Sequence, residues 1–236
     1  MSDSDTDSDA PSVEHLFDQA FTEPNPGPAL QKIVDDHPSY TNIEFPLIKA
    51  YFDAASTDPS RANILAGALA GLGPDTLKGA INRELARSVH FVFRAVPEDT
   101  AFGPSNPILL HSLLSGLSLK YSLTQTSAMY SAIEKGLEPT DVEHPLLDAL
   151  NAEVLVVGAC IQLLLAGSVL ASERAGTYRR TAEVVAKNLR DSRDAGRVKD
   201  AQAVNVLNLA IEHAETGMRK ENERDDVWNL LFQKTS

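Results

Sequence analysis

Residues 154–171 read VLVVGACIQLLLAGSVLA, eighteen in a row with only Gln162 and Ser168 as polar interruptions. A helix of this kind has no polar side to offer water, so its surroundings must be apolar all the way round. Two environments qualify. One is a bilayer, whose hydrocarbon core takes roughly 20 apolar residues as a spanning helix. Arg174, Arg179 and Arg180 follow the run and would hold that end in the cytoplasm. The other is the middle of a helical bundle. Gly158, Gly167, the Gln162 amide and Glu153 favour the bundle, because small residues let neighbouring helices approach and polar groups are costly in lipid. The reading is a buried central helix in an all-α fold, with a single-span membrane protein as the alternative.

Helical signals continue along the chain. Leu77, Ile81, Leu85, Val89, Val92 and Val96 recur at steps of three or four, as do Val204, Leu207, Ile211 and Ala214. Val227, Leu230 and Leu231, with Trp228, make the apolar side of a short last helix. Asp58-Pro59 and Asn106-Pro107 each put a capping residue before a proline, whose missing N–H costs nothing in the first turn. The helix begun at Asp58 should run to about Leu72 and stop at Gly73-Pro74. Thr140 to Glu143 has capping-box spacing, with Pro145 as a rival start. Turn chemistry falls at 23–28, 97–107, 138–139 and 191–196. No period-two run of β-branched residues requires a sheet.

These signals predict an irregular multi-helix bundle of about nine to eleven helices. Residues 12–236 should form one all-helical domain, with 97–107 as the place for a subdomain break. Residues 1–11 alternate Asp with Ser or Thr and should be a disordered acidic tail. Residues 64–72 and 109–117 share an apolar pair, a Leu, a small residue, Gly and Leu at an offset of 45. A helical-repeat array could produce this echo, but the motif does not recur along the chain, and the bundle is the better reading.

Charge narrows the function classes. The chain has 21 Lys and Arg against 33 Asp and Glu, a net charge of −12. Discounting the four Asp of the tail leaves −8. Nucleic acid and anionic membrane surfaces attract positive charge, so neither is an expected partner. The one basic concentration, Arg174 to Arg197, is interleaved with Glu183, Asp191 and Asp194 and reads as a solvated face with i,i+4 pairs. Only nine residues are Lys. An acidic, Lys-poor surface stays hydrated in high salt, which points to a halophilic source, cell or virus. The start of the chain lacks the basic and apolar pattern of a secretory leader, and a lone cysteine rules out an internal disulfide. A cytoplasmic protein or a virion component is expected.

Chemistry is sparse. No Glu-x-x-His or His-x-x-x-His occurs, and the adjacent Glu-His pairs at 14–15, 143–144 and 212–213 point about 100° apart on a helix. Phosphate-binding glycine loops and the Gly-x-Ser-x-Gly elbow are missing. Cys160 lies inside the apolar run and should be a small buried hydrophobe. No metal or cofactor is expected. His90 and His111 sit on apolar helices and, with Tyr121 and Tyr130, are the candidate lining of a small-molecule pocket. Val204, Leu207, Ile211 and Trp228 are the candidate interface. The leading expectation is a non-catalytic helical protein that self-associates or binds another protein. An all-helical enzyme or ligand carrier using the His90/His111 pocket is the alternative.

Overall fold

The computed structural model describes residues 11–37, 39, 42–73, 77–79, 81–83, 102–123, 150–172 and 175–232, with backbone alone for 150–152, 170, 172 and 175–181. Most of the tail, the 74–96 stripe beyond Ile81 apart from Asn82 and Arg83, the 140–145 helix start, His90 and Tyr130 lie outside the described residues. Within them the structure is all-helical, with nine α-helices and two 3-10 turns. The helices are α1 (Val13–Thr22), α2 (Gly27–Asp36), α3 (Glu44–Thr57), α4 (Ala62–Ala70) and α5 (Pro107–Lys120). They continue with α6 (Leu150–Ser172), α7 (Ala175–Asp194), α8 (Ala201–Glu215) and α9 (Val227–Phe232).

Local chemistry sets the helix starts. Asp58 accepts from the Ser60 amide at 3.2 Å and opens a 3-10 turn at Pro59–Arg61 that leads into α4. Asn106 accepts from the amides of Ile108 and Leu109 at 2.9 and 3.3 Å, above Pro107. Asp200 does the same for Gln202 and Ala203 ahead of α8. Each cap satisfies amides that the first helical turn leaves without a partner.

The helix α6 is the centre of the bundle. Its described residues from Val154 to Gly167 are buried, apart from half-buried Leu155. It packs on α5, α7, α8 and α9, most extensively on α5. Small residues permit that closeness. A Cβ on Gly158 would stand 2.5 Å from Ser112 Oγ, and one on Gly116 would stand 3.2 Å from the Gln162 Cα. Glu153, the charge ahead of the apolar run, accepts from the amides of Lys199 and Asp200 at 2.7 and 2.9 Å and so ties the start of α8 to α6.

The backbone of α6 breaks at Ala166, which has φ −145° and ψ 18°. In an unbroken helix the Ser168 amide would donate to the Leu164 carbonyl. Here both groups are taken by the segment 216–226, which lies across the break. The Ser168 amide and hydroxyl donate to Glu223 Oε1 at 3.0 and 2.5 Å, and the Arg224 amide donates to the Leu164 carbonyl at 2.8 Å. The break leaves neither part of the 23-residue helix at the length of about 20 residues that a bilayer asks for. Among the described residues no helix is long and apolar enough to cross a membrane. The spanning alternative read from 154–171 therefore gives way to the buried core helix.

Contacts cross the 97–107 stretch in several places. The helix α4 packs on α5, and α9 reaches the 3-10 turn at 59–61. From within the stretch the Phe102 ring lies 5.8 Å from that of Phe232, and beyond it Lys120 pairs with Asp225. The C-terminal helix thus folds back towards the first half of the chain.

Gly158→Ala should lower unfolding stability by about 1–3 kcal/mol, because the added methyl meets Ser112 Oγ, which already donates to the Ile108 carbonyl at 2.8 Å. Gly103→Ala, where a Cβ meets nothing within 4 Å, should stay within about 0.5 kcal/mol of the native chain. Urea unfolding of the two variants checks the pair.

Candidate functional site

The described reactive side chains singled out in the sequence are held by structural bonds, at His111 and Tyr121, or sealed in the core, at Cys160. His111 Nδ1 lies 2.9 Å from the Pro107 carbonyl, and its ring stacks on Phe52 at 5.8 Å and 28°. Burial holds this imidazole below the usual histidine range, against the pull of the carbonyl. Tyr121 stands at the other end of α5, about 15 Å along the helix axis. Its ring lies against Gly67, where a Cβ would be 3.5 Å away, and its hydroxyl donates to Asn63 Oδ1 at 3.1 Å. The two described members of the expected pocket are therefore occupied at separate places. Cys160 is fully buried, and burial pushes its thiol far above the ordinary range. Among the described residues no three His, Cys, Asp or Glu side chains gather closely enough to hold a metal ion.

Tyr51 is the buried aromatic the sequence did not mark. It is 0% exposed, lies between the rings of Phe21 and Phe52 at 6.2 and 5.6 Å, and has a hydroxyl without a hydrogen-bond partner. Burial, with a smaller contribution from Tyr121, drives its hydroxyl well above the usual tyrosine range.

The expected interface residues are placed inward. Leu207, Ile211 and Trp228 are buried, and Val204 is half-buried against the core. The stripe of α8 packs on α6 and α7, and Trp228 packs on Phe232 at 4.7 Å. An apolar stripe at helical spacing has the same pattern whether it meets the chain's own core or a partner. Here intramolecular packing uses these side chains. Along α7, Lys187 pairs with Asp191 at 2.7 Å, Arg193 with Asp194 at 3.1 Å, and Arg190 with Glu215. The described basic residues of this helix carry acidic partners of their own; the Arg179 and Arg180 side chains lie outside the description.

A different surface stands out. The sequence of α4, ANILAGALA, contains no charged residue. Leu65, Ala66 and Leu69 fill the core on one side. On the other, Ile64 is 51% exposed, Ala68 is half-buried and Gly71 is exposed. Positions i, i+4 and i+7 share one helix face, so these three form an uncharged outer strip. In the sequence this segment is the helix begun at Asp58 and one half of an internal echo. The signal it carried was the lack of a polar side on so short a helix.

The second feature outside the expected set is His213, on the inward face of α8. It is 2% exposed, and neither ring nitrogen has a hydrogen-bond partner of ordinary geometry. The ring sits on Gly167, where a Cβ would run into Nε2. Burial holds the imidazole below the usual histidine range, while the Glu223 carboxylate and the Leu163 carbonyl pull it back up. Met218, left-handed at φ 48°, closes over the same glycine from the turn that ends α8. In sequence, His213 is one of three histidines next to a glutamate, and nothing in that pairing separates it from exposed His15.

Compared with protein-family models, curated proteins and solved structures, the chain matches none of them.

Tyr51→Phe removes a buried hydroxyl that has no partner, so it should leave stability unchanged or raise it by about 1 kcal/mol. Thermal unfolding measures the difference. A loss of stability would show that the hydroxyl has a partner in solution, such as a trapped water.

Proposed function

We propose that this chain works by docking to protein, first of all to a second copy of itself, and that the outer strip of α4 is the docking face. The observation that carries the reading is the strip of exposed Ile64, half-buried Ala68 and exposed Gly71 along a helix with no charged residue and its C-cap, in a chain with a net charge of −12. Small residues on an exposed helix let a second helix come close. A two-fold arrangement would set the same strip against itself, the commonest geometry of homodimers. The structural use of His111, Tyr121 and Cys160 supports docking over a catalytic role, since a reactive group needs access and a free partner. The acidic, Lys-poor composition supports an assembly that works in high salt, in the cytoplasm or in a virus particle.

Sedimentation equilibrium in molar potassium chloride tests the proposal. The native chain should run above its single-chain mass of 25.5 kDa, and Ile64→Glu should return it to that mass. Ile64 is half exposed, so this substitution should leave unfolding stability within about 0.5 kcal/mol. A native chain that stays at single-chain mass up to high concentration would reject self-association. Unchanged association in a folded Ile64→Glu variant would reject the face.

A further inference from the structure

We propose that His213 is a pH-sensitive latch for the segment 216–226, and that proton uptake on its ring unplugs that segment from the break in α6. The geometry brings three things together. The first is a break whose donor and acceptor, the Ser168 amide and the Leu164 carbonyl, are satisfied by two consecutive residues of the segment, Glu223 and Arg224. The second is the turn that joins this segment to α8, in which the Met218 amide donates to the His213 carbonyl at 2.8 Å and the Gly217 amide to the Ala214 carbonyl at 3.2 Å. The third is a buried imidazole at the base of that turn, seated on Gly167 with both nitrogens unpaired.

A neutral ring fits this seat. A charged ring is expensive there, because a buried cation needs a counter-charge and acceptors for both of its protons. The groups around it are few. On α6, the Leu163 carbonyl and the segment's own Glu223, docked at Ser168, are the nearby acceptors. The described titratable group of α6 in its first turn, Glu153, is bound to the start of α8. The α7 residue Arg190 is tied to Glu215 at the surface, and α9 carries no titratable residue. Within the segment, Arg219 pairs with Glu221, Arg224 with Asp226, and Asp225 with Lys120, while Lys220 is exposed. On α8 itself, Glu212 faces solvent. Burial outweighs these two acceptors, so an imidazolium is relieved by leaving Gly167 or by drawing Glu223 away from the Ser168 amide. Both moves open the plug.

The sign of the effect follows from linkage. A folded-state pKa below the ordinary value means that the open form binds the proton better. The closed form is fully favoured above about pH 6.5 and loses ground as pH falls below it. One proton gives a slope of up to about tenfold in opening per pH unit, down to the folded-state pKa. His15 lies against Gln19, His37 against the Ile33 carbonyl and His111 against the Pro107 carbonyl, so none of these bonds touches the segment.

Amide hydrogen exchange on the full chain, followed by NMR at about pH 7.5 and about pH 5.5 and corrected for intrinsic rates, is the test. Protection at Ser168 and Arg224 should fall on acidification by up to about tenfold per pH unit, while the α3 amides around Tyr51 hold theirs. His213→Met should flatten the dependence. Should that variant fail to fold, Glu223→Gln keeps an acceptor for Ser168 but removes the charge that favours the imidazolium. By the same linkage it should leave the onset near about pH 6.5 and extend the slope to lower pH, so that protection at Ser168 and Arg224 falls further than in the native chain. Equal protection at both pH values, stronger protection at the lower one, or an unaltered profile in either folded variant would overturn the proposal.

Discussion

A helix that is apolar on every side can exist in water only if other helices cover all of it, and α6 imposes that demand on the rest of the chain. Among the described residues four helices answer it, α5 most extensively. The approach is set by side chains that are missing: Gly116 and Gly158 leave space where a methyl would meet Leu165, the Gln162 backbone or Ser112. Ser112, Ser115 and Ser118 line the same buried helix without polar cost where their hydroxyls turn back on the turn before, as Ser112 does to Ile108 and Ser118 to Leu114. Closeness and polar satisfaction thus come from one choice of small residues.

The break at Ala166 is the second constraint, and it links the core to the surface. A buried amide and carbonyl left unpaired would cost about 1–3 kcal/mol each. Glu223 and Arg224 supply both partners from the segment that follows α8. That segment is otherwise exposed or half-buried and held by ion pairs of the kind that contribute about 0–1 kcal/mol. Its attachment therefore rests on the Glu223 carboxylate at Ser168, the Arg224 amide at Leu164, the Asp225–Lys120 pair and Met218, which is buried beside Gly167 in a left-handed conformation. Such a segment has a local opening free energy well below that of the surrounding core. Small changes at its base, of the size of one protonation, are then large enough to matter.

The helical class, the caps at Asp58 and Asn106 and the central position of 154–171 were all legible in the sequence, because each depends on near neighbours in the chain. The Ala166 break was not. Its one local mark is the Gly167-Ser168 pair directly after it, of a kind that accompanies helix kinks, and the partner groups that satisfy it come from residues more than fifty positions later. The stripe at Val204, Leu207 and Ile211 was found correctly as apolar, but periodicity cannot tell which surface an apolar stripe will meet. His213 escaped notice for the same reason. Its flanking residues resemble those of the surface histidines, and only the fold sets its ring on Gly167. Of the expected pocket, His111 and Tyr121 share a helix, so their separation was fixed by its length.

The acidic composition bears on which contacts could hold an assembly together. At 1 M salt the screening length is about 3 Å, so exposed pairs such as Lys187–Asp191 lose most of their reach. Excluded salts act in the opposite direction on apolar surface, strengthening its burial. A chain that repels its copies at low salt through its net charge is relieved of that repulsion under the same conditions. An uncharged strip such as Ile64, Ala68 and Gly71 then becomes a more effective contact as salt rises, while an interface built on ion pairs weakens. On the docking proposal, a charged exterior paired with a charge-free α4 would make association rise with ionic strength, a salt dependence opposite in sign to that of an electrostatic partner.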